Sequence, residues 1–105
     1  MSFDNLLVQR ESGVAVLTVQ RPQRLNALDA RTLDEIRQAV LDVQQDASIR
    51  SVIMTGGGDR AFVAGADIAE ISRDTPESAR QRALTGQHVF HLIERLGKPV
   101  IAAVN

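Results

Sequence analysis

The stretch A-F-V-A-G-A-D-I, Ala61 to Ile68, sets Gly65 between two alanines and follows them at once with Asp67. Side chains this small let a ligand oxygen reach main-chain N–H groups near Ala66, and a helix opening at Asp67 would add its positive N-terminal end. Fixed donors of that kind stabilise an anionic oxygen developing on a carbonyl, one donor contributing ~3 kcal/mol in a transition state. The same letters also serve an ordinary surface turn. Two further groups invite chemistry. Gly56-Gly57-Gly58 suggests a phosphate loop, but no Lys-Ser or Lys-Thr follows as a P-loop requires, and no helix opens directly from the glycines as in a dinucleotide fingerprint. A flexible turn is the better reading. His88, His91 and Glu94 lie three apart on a helical stretch, whereas the zinc-protease pattern needs histidines four apart with Glu beside the first. They read as ordinary helix-surface or partly packed residues, and no metal is expected.

The elements that must position these residues follow from period and punctuation. LLVQRE and VAVLTVQ are β-rich runs separated by Ser12-Gly13, which predicts a hairpin ended by Pro22. Leu33, Ile36, Val40 and Val43 then recur at steps of three and four, predicting a helix over Ala30–Gln45 with Asp29 as N-cap. Ser51 to Thr55 is a short buried strand running into the glycines, so strand, helix and strand form a βαβ unit with a parallel pair. Thr75 and Pro76 open a second helix that Gly97 and Pro99 stop near Leu96, with Ala79, Ala83, Gly86, Phe90 and Ile93 on one face. VIAAVN is a last apolar strand, expected to leave an unpaired edge. Arg31 with Glu35, and Glu77 with Arg80, read as solvated pairs on helix surfaces.

Composition narrows the function classes. The 105 residues are one domain or part of one, with 44% apolar and 24% charged residues. A net charge of −1 gives no electrostatic case for nucleic acid or an anionic membrane. No apolar run approaches the roughly 18 residues of a membrane span, and the N-terminus has no signal-peptide layout, so a cytoplasmic protein is expected. Cysteine is absent, which removes thiolate metal sites and thiol nucleophiles. With three Phe and no Trp or Tyr, any core rests on Val, Ile, Leu and Ala.

Taken in order, R-P-x-x-L-N-A-L (Arg21–Leu28), V-I-M-T-G-G-G (Val52–Gly58), A-F-V-A-G-A-D-I and K-P-V-I-A-A-V-N (Lys98–Asn105) closely resemble the front part of the crotonase superfamily, the enoyl-CoA hydratases and isomerases. The resemblance spans essentially all 105 residues, so residues 1–105 are expected to be a partial crotonase-like domain. It implies an α/β fold, the N-terminal part of a ββα spiral, in a protein that assembles as a trimer or a dimer of trimers. It implies an acyl-CoA thioester substrate, no separate cofactor, and an enolate held in an oxyanion hole. By similarity the backbone N–H of Ala66 is the first oxyanion donor. Ala64, Gly65, Asp67 and Ile68 would line the thioester path, and Arg24, Leu25, Asn26 and Ala27 would lie near the CoA adenine. The second donor and the two acid/base glutamates of the hydratases belong to later segments. Glu11, Glu35, Glu70, Glu77 and Glu94 match no catalytic position. A hydratase needs positioned acid and base groups as well as an oxyanion hole, so this polypeptide alone is not expected to be competent. Isomerase, dehydratase and thioester-hydrolase members share this front half. A catalytically silent assembly module and an inactive fragment are the alternatives from other classes.

Overall fold

The computed structural model describes residues 2–105. Two strands, β1 (Leu6–Glu11) and β2 (Val14–Val19), form the expected antiparallel hairpin. Ser12 and Gly13 both take positive φ, 51° and 83°, the combination whose twist matches that of the flanking strands. A helix, α1 (Ala30–Gln45), then crosses to β3 (Ser51–Gly56), which pairs parallel to β2. A one-turn helix, α2 (Ile68–Ile71), and a long helix, α3 (Pro76–Glu94), lead to β4 (Val100–Ala103), parallel to β3. Strand order in the sheet is β1-β2-β3-β4. Two successive crossovers that advance in one direction place α1 and α3 on one face, and the two helices pack against each other.

The core lies between that face and the helices. Ala15, Leu17 and Val19 alternate inward along β2 and meet Val52 of β3 together with Leu33, Ile36, Ala39, Val40 and Val43 of α1. The opposite face carries Val16, Ile53 and Ile101 side by side across three strands, with Ile101 56% exposed. As expected, β4 pairs on one side only. No helix among the described residues is long and apolar enough to cross a membrane.

Capping follows the sequence closely. The Asp29 carboxylate accepts the Thr32 N–H at 2.8 Å, and Thr75 and Ser78 form a reciprocal capping box at the start of α3. Lys98 Nζ donates to the Val43 and Asp46 carbonyls at 2.7 and 2.8 Å, satisfying the C-terminal end of α1 with a cation.

Three expectations require correction. Arg31 pairs with Asp4 rather than Glu35. Glu35 is buried, and its two carboxylate oxygens accept the Asp4 and Asn5 amides at 3.1 and 2.8 Å, so this charge holds the entry to β1. The apolar face of α3 is divided, with Ile93 packed against the core. Ala79, Ala83, Gly86 and Phe90 wall an open groove, and Val89 is the buried residue of that helix. Glu77 and Arg80 are exposed and form no ion pair among the described residues, and His88, His91 and Glu94 are likewise exposed along α3. The helix itself ends at Glu94, two residues before the expected stop.

Candidate active site

Both segments that build the site leave the carboxyl ends of parallel strands, where open α/β sheets place their ligand clefts. After β2 the chain makes a 3-10 turn at Pro22–Arg24, and Leu25 and Asn26 then both take left-handed φ, 54° and 57°. Such a conformation costs a side chain such as leucine roughly 1–2 kcal/mol, and here hydrogen bonds hold it. Leu25 donates to the Pro22 carbonyl at 3.1 Å, and its own carbonyl accepts the Ala64 N–H at 3.1 Å. After β3, the Gly56–Gly58 turn sends the chain through Ala61–Val63 to meet Leu25–Leu28 side by side.

The two segments run parallel. Leu28 N–H donates to Gly65 O at 2.7 Å, and Asp67 N–H donates to Leu28 O at 2.9 Å, a bridge centred on Leu28 and Ala66. Extended backbone alternates its polar groups from side to side. Because Gly65 and Asp67 spend theirs on Leu28, the N–H of Ala66 faces away, and it donates to no acceptor among the described residues. Gly65 reaches its φ of 137° without a Cβ to obstruct it.

Ala66 lies where two clefts meet. The smaller, about 230 Å³, is lined by Arg24, Leu25, Ala27, Ala64, Ala66, Asp67 and Ile68. These are residues that the sequence points to in two separate motifs. The larger, about 580 Å³, is the apolar groove beneath α2, walled by Leu28, Leu33, Val63, Ile71 and the small-residue face of α3. Asn26 stands apart from its neighbours. It is 1% exposed, accepts the Arg21 N–H at 2.8 Å and donates to the Gly57 and Ala61 carbonyls at 3.0 and 2.9 Å. Its side chain is spent on fastening the cleft's walls and does not line the cleft.

Arg21 is the residue that sequence reasoning missed. Its guanidinium donates to the Ala27 carbonyl and to Asp67 Oδ2 at 3.0 Å, and lies 3.4 Å from Asp29 Oδ2. One cation thus ties the first motif to the second and to the cap of α1. The only sequence signal is a charged residue before a proline in a segment that must enclose a cleft. Asp67 caps α2 as expected, accepting the Glu70 N–H at 3.1 Å. That helix is a single turn, so the positive potential at its start comes from a few local N–H groups and not from a long aligned dipole.

The hydrogen bond from Arg21 holds the Asp67 carboxyl below the usual carboxylate range. Burial opposes this, while the Arg21 charge, the Ala69 amide and the Arg24 charge assist. A depressed folded-state value means that the contribution is fully present above the unfolded value of about 3.9. It is lost as pH falls through the lower folded value. Urea midpoints measured from about pH 6 to about pH 2 should therefore drop less steeply in Asp67→Asn than in the wild type. Asp34 and Asp46 are also held low, by Arg37 and Ser48, and are common to both proteins, so the difference isolates Asp67. Parallel curves would refute the charged clamp.

The mixed α/β layer, a four-stranded sheet with its helices, matches the N-terminal part of the crotonase fold. Residues 9–105 match the enoyl-CoA hydratase/isomerase family. The chain is 47% identical over 105 residues to a crotonyl-CoA hydratase of Syntrophomonas wolfei and 42% identical over 105 residues to a short-chain-enoyl-CoA hydratase of Clostridium acetobutylicum. Each comparison covers 100% of this chain and 40% of the relative. The crystal structure of an enoyl-CoA hydratase from Bacillus anthracis superposes with a TM-score of 0.94 at 31% identity, over 97% of this chain and 40% of that one. The chain belongs to the enoyl-CoA hydratase/isomerase family and spans about 40% of the length of these curated relatives.

Proposed function

We propose that this chain is the N-terminal portion of an enoyl-CoA hydratase-like enzyme that binds an acyl-CoA thioester and stabilises its enolate. The Ala66 N–H is the first oxyanion donor. Arg24, Leu25 and Ala27 flank the approach of the CoA moiety, and Ala64, Asp67 and Ile68 flank the thioester. The carrying observation is the Ala66 amide itself, unspent and facing away from the bridge that fixes its neighbours. A donor held in place before the reaction costs no reorganisation when charge appears on the carbonyl oxygen, which is the condition for electrostatic stabilisation. The chemistry at the α- and β-carbons needs acid and base groups in addition. None of the glutamates here serves. Glu35 and Glu70 are engaged with backbone amides, and Glu11, Glu77 and Glu94 are exposed away from the cleft. Homo-oligomeric assembly belongs to the same proposal.

Infrared spectroscopy of a thioester labelled with ¹³C at its carbonyl tests the donor directly. The band should move to lower frequency on binding, and Ala66→Pro, which has no N–H, should lose the shift. Affinity should fall by roughly fivefold, the equivalent of one neutral hydrogen bond. Ala66→Gly keeps the amide and should keep the shift, guarding against a fold defect in the proline variant. A bound thioester with an unshifted carbonyl would sink the assignment.

A further inference from the structure

Immediately after the Ala66–Asp67 peptide comes a helix with nothing to bury. α2 is one turn and has no buried side chain, Ile68 is 80% exposed and Ile71 44%. Apolar packing does not fix its place, so polar ties must. Arg21 holds the front of the turn through Asp67. The back is held by Arg82 of α3, whose Nε and Nη2 donate to the two carboxylate oxygens of Asp74 at 2.8 and 2.7 Å, while Nη1 pairs with Glu70. Glu70 in turn accepts the Ala30 N–H at 3.0 and 3.2 Å, at the first residue of α1. One guanidinium therefore joins α3 to the end of α2 and the turn behind it, and through Glu70 to α1. Arg82, Glu70 and Asp74 are 19, 23 and 12% exposed, which removes them from the solvent-screened class of surface pairs. Arg82 and Asp74 line the same groove as Ala66.

We propose that Arg82 is a positioning residue for the Ala66 donor. By fixing α2 against α1 and α3, it gives the Gly65–Ala66 peptide, whose N–H is the donor, a single orientation toward the thioester carbonyl. The inference rests on the reading of Ala66 given above. It requires a guanidinium, because a planar fork can engage one carboxylate with two N–H groups and a second carboxylate with a third, whereas an ammonium acts as a point charge.

The test uses Arg82→Gln, Arg82→Lys and Glu70→Gln, with hydrogen exchange read by mass spectrometry and the carbonyl band of a bound ¹³C-thioester. Arg82→Gln should speed exchange across residues 67–75 by roughly tenfold, as expected for losing a charged hydrogen bond, while β1–β3 stay protected. The carbonyl band should broaden and return toward its free frequency. Arg82→Lys should recover only part of both effects. Glu70→Gln retains an acceptor for Ala30 and should give the same signature at smaller size even if the Arg82 variants fold poorly. Faster exchange with an unchanged carbonyl band would make Arg82 merely structural and overturn the proposal. Wild-type exchange rates in Arg82→Gln would overturn it as well. An absent shift in the wild type would remove the Ala66 reading itself, whereas a shift that survives Arg82→Gln would remove this inference alone.

Discussion

Gly56→Ala should be the most damaging single-methyl change in the molecule. A Cβ at this position would stand 2.1 Å from the Phe62 carbonyl oxygen, 2.6 Å from that of Ala61 and 2.8 Å from Asn26 Nδ2. The first two are backbone atoms and cannot rotate aside. Relief requires either moving the end of β3 away from β2 or pushing the Ala61–Ala66 segment off its bridge with Leu28. Overpacking usually costs 1–3 kcal/mol, and with main chain on the other side a loss of about 3 kcal/mol or more is expected. That is a large share of the roughly 5–15 kcal/mol that stabilises a typical domain. The urea midpoint should fall accordingly with little change in the slope of the transition. A midpoint within error of wild type would mean that the two segments are not in the contact described.

Asn26→Ala attacks the same junction from the other side. Its amide satisfies three backbone groups at once: the Arg21 N–H and the Gly57 and Ala61 carbonyls. Truncation leaves them facing a dry gap, and an unsatisfied buried polar group costs about 1–3 kcal/mol. Asparagine also tolerates the left-handed backbone at this position better than alanine does, adding a few tenths to about 1 kcal/mol. The total should reach about 4 kcal/mol. Asn26→Asp should do little better, because a carboxylate can accept from Arg21 but presents no donor to the two carbonyls. Since Gly56 and Asn26 touch, their effects should not add. The double variant should be less damaged than the two single losses predict, as neighbouring sites that break one structure generally are. Strict additivity in a double-mutant cycle would argue that the two variants damage separate places.

How far these features can be read from the sequence depends on the range of the interaction. The boundaries of α1 follow from an apolar period and an N-cap three residues before the amide that donates to it, and the structure returns Ala30–Gln45 as expected. The hairpin and the parallel β2–β3 pair follow from equally local signals. The residues gathered around the smaller cleft come from two motifs that are legible as motifs, although their pairing through Leu28 and Ala66 is not. The polar ties have no period. Arg21 reaches Asp67 46 positions away, and Asn26 reaches Gly57 and Ala61 across 31 and 35. Glu35 shows the same blindness in another form. Its position beside Ile36 and Ala39 puts it at the margin of the apolar face, where a helical wheel reads solvent and the fold supplies two backbone amides. For α3, the small residues at helical spacing did mark one face, but whether a face is core or groove depends on what packs opposite.

Lys98 is the only lysine in the sequence, and cysteine is absent. Its ammonium donates to two carbonyls at the end of α1, which holds the nitrogen against the helix terminus. Coenzyme A thioesters are activated acyl groups that label free amines and thiols on contact. Apart from the α-amino group, this polypeptide shows such reagents guanidinium groups, the exposed imidazoles of His88 and His91, and one occupied amine. That leaves this sequence little free amine or thiol to meet the compound class proposed for its cleft.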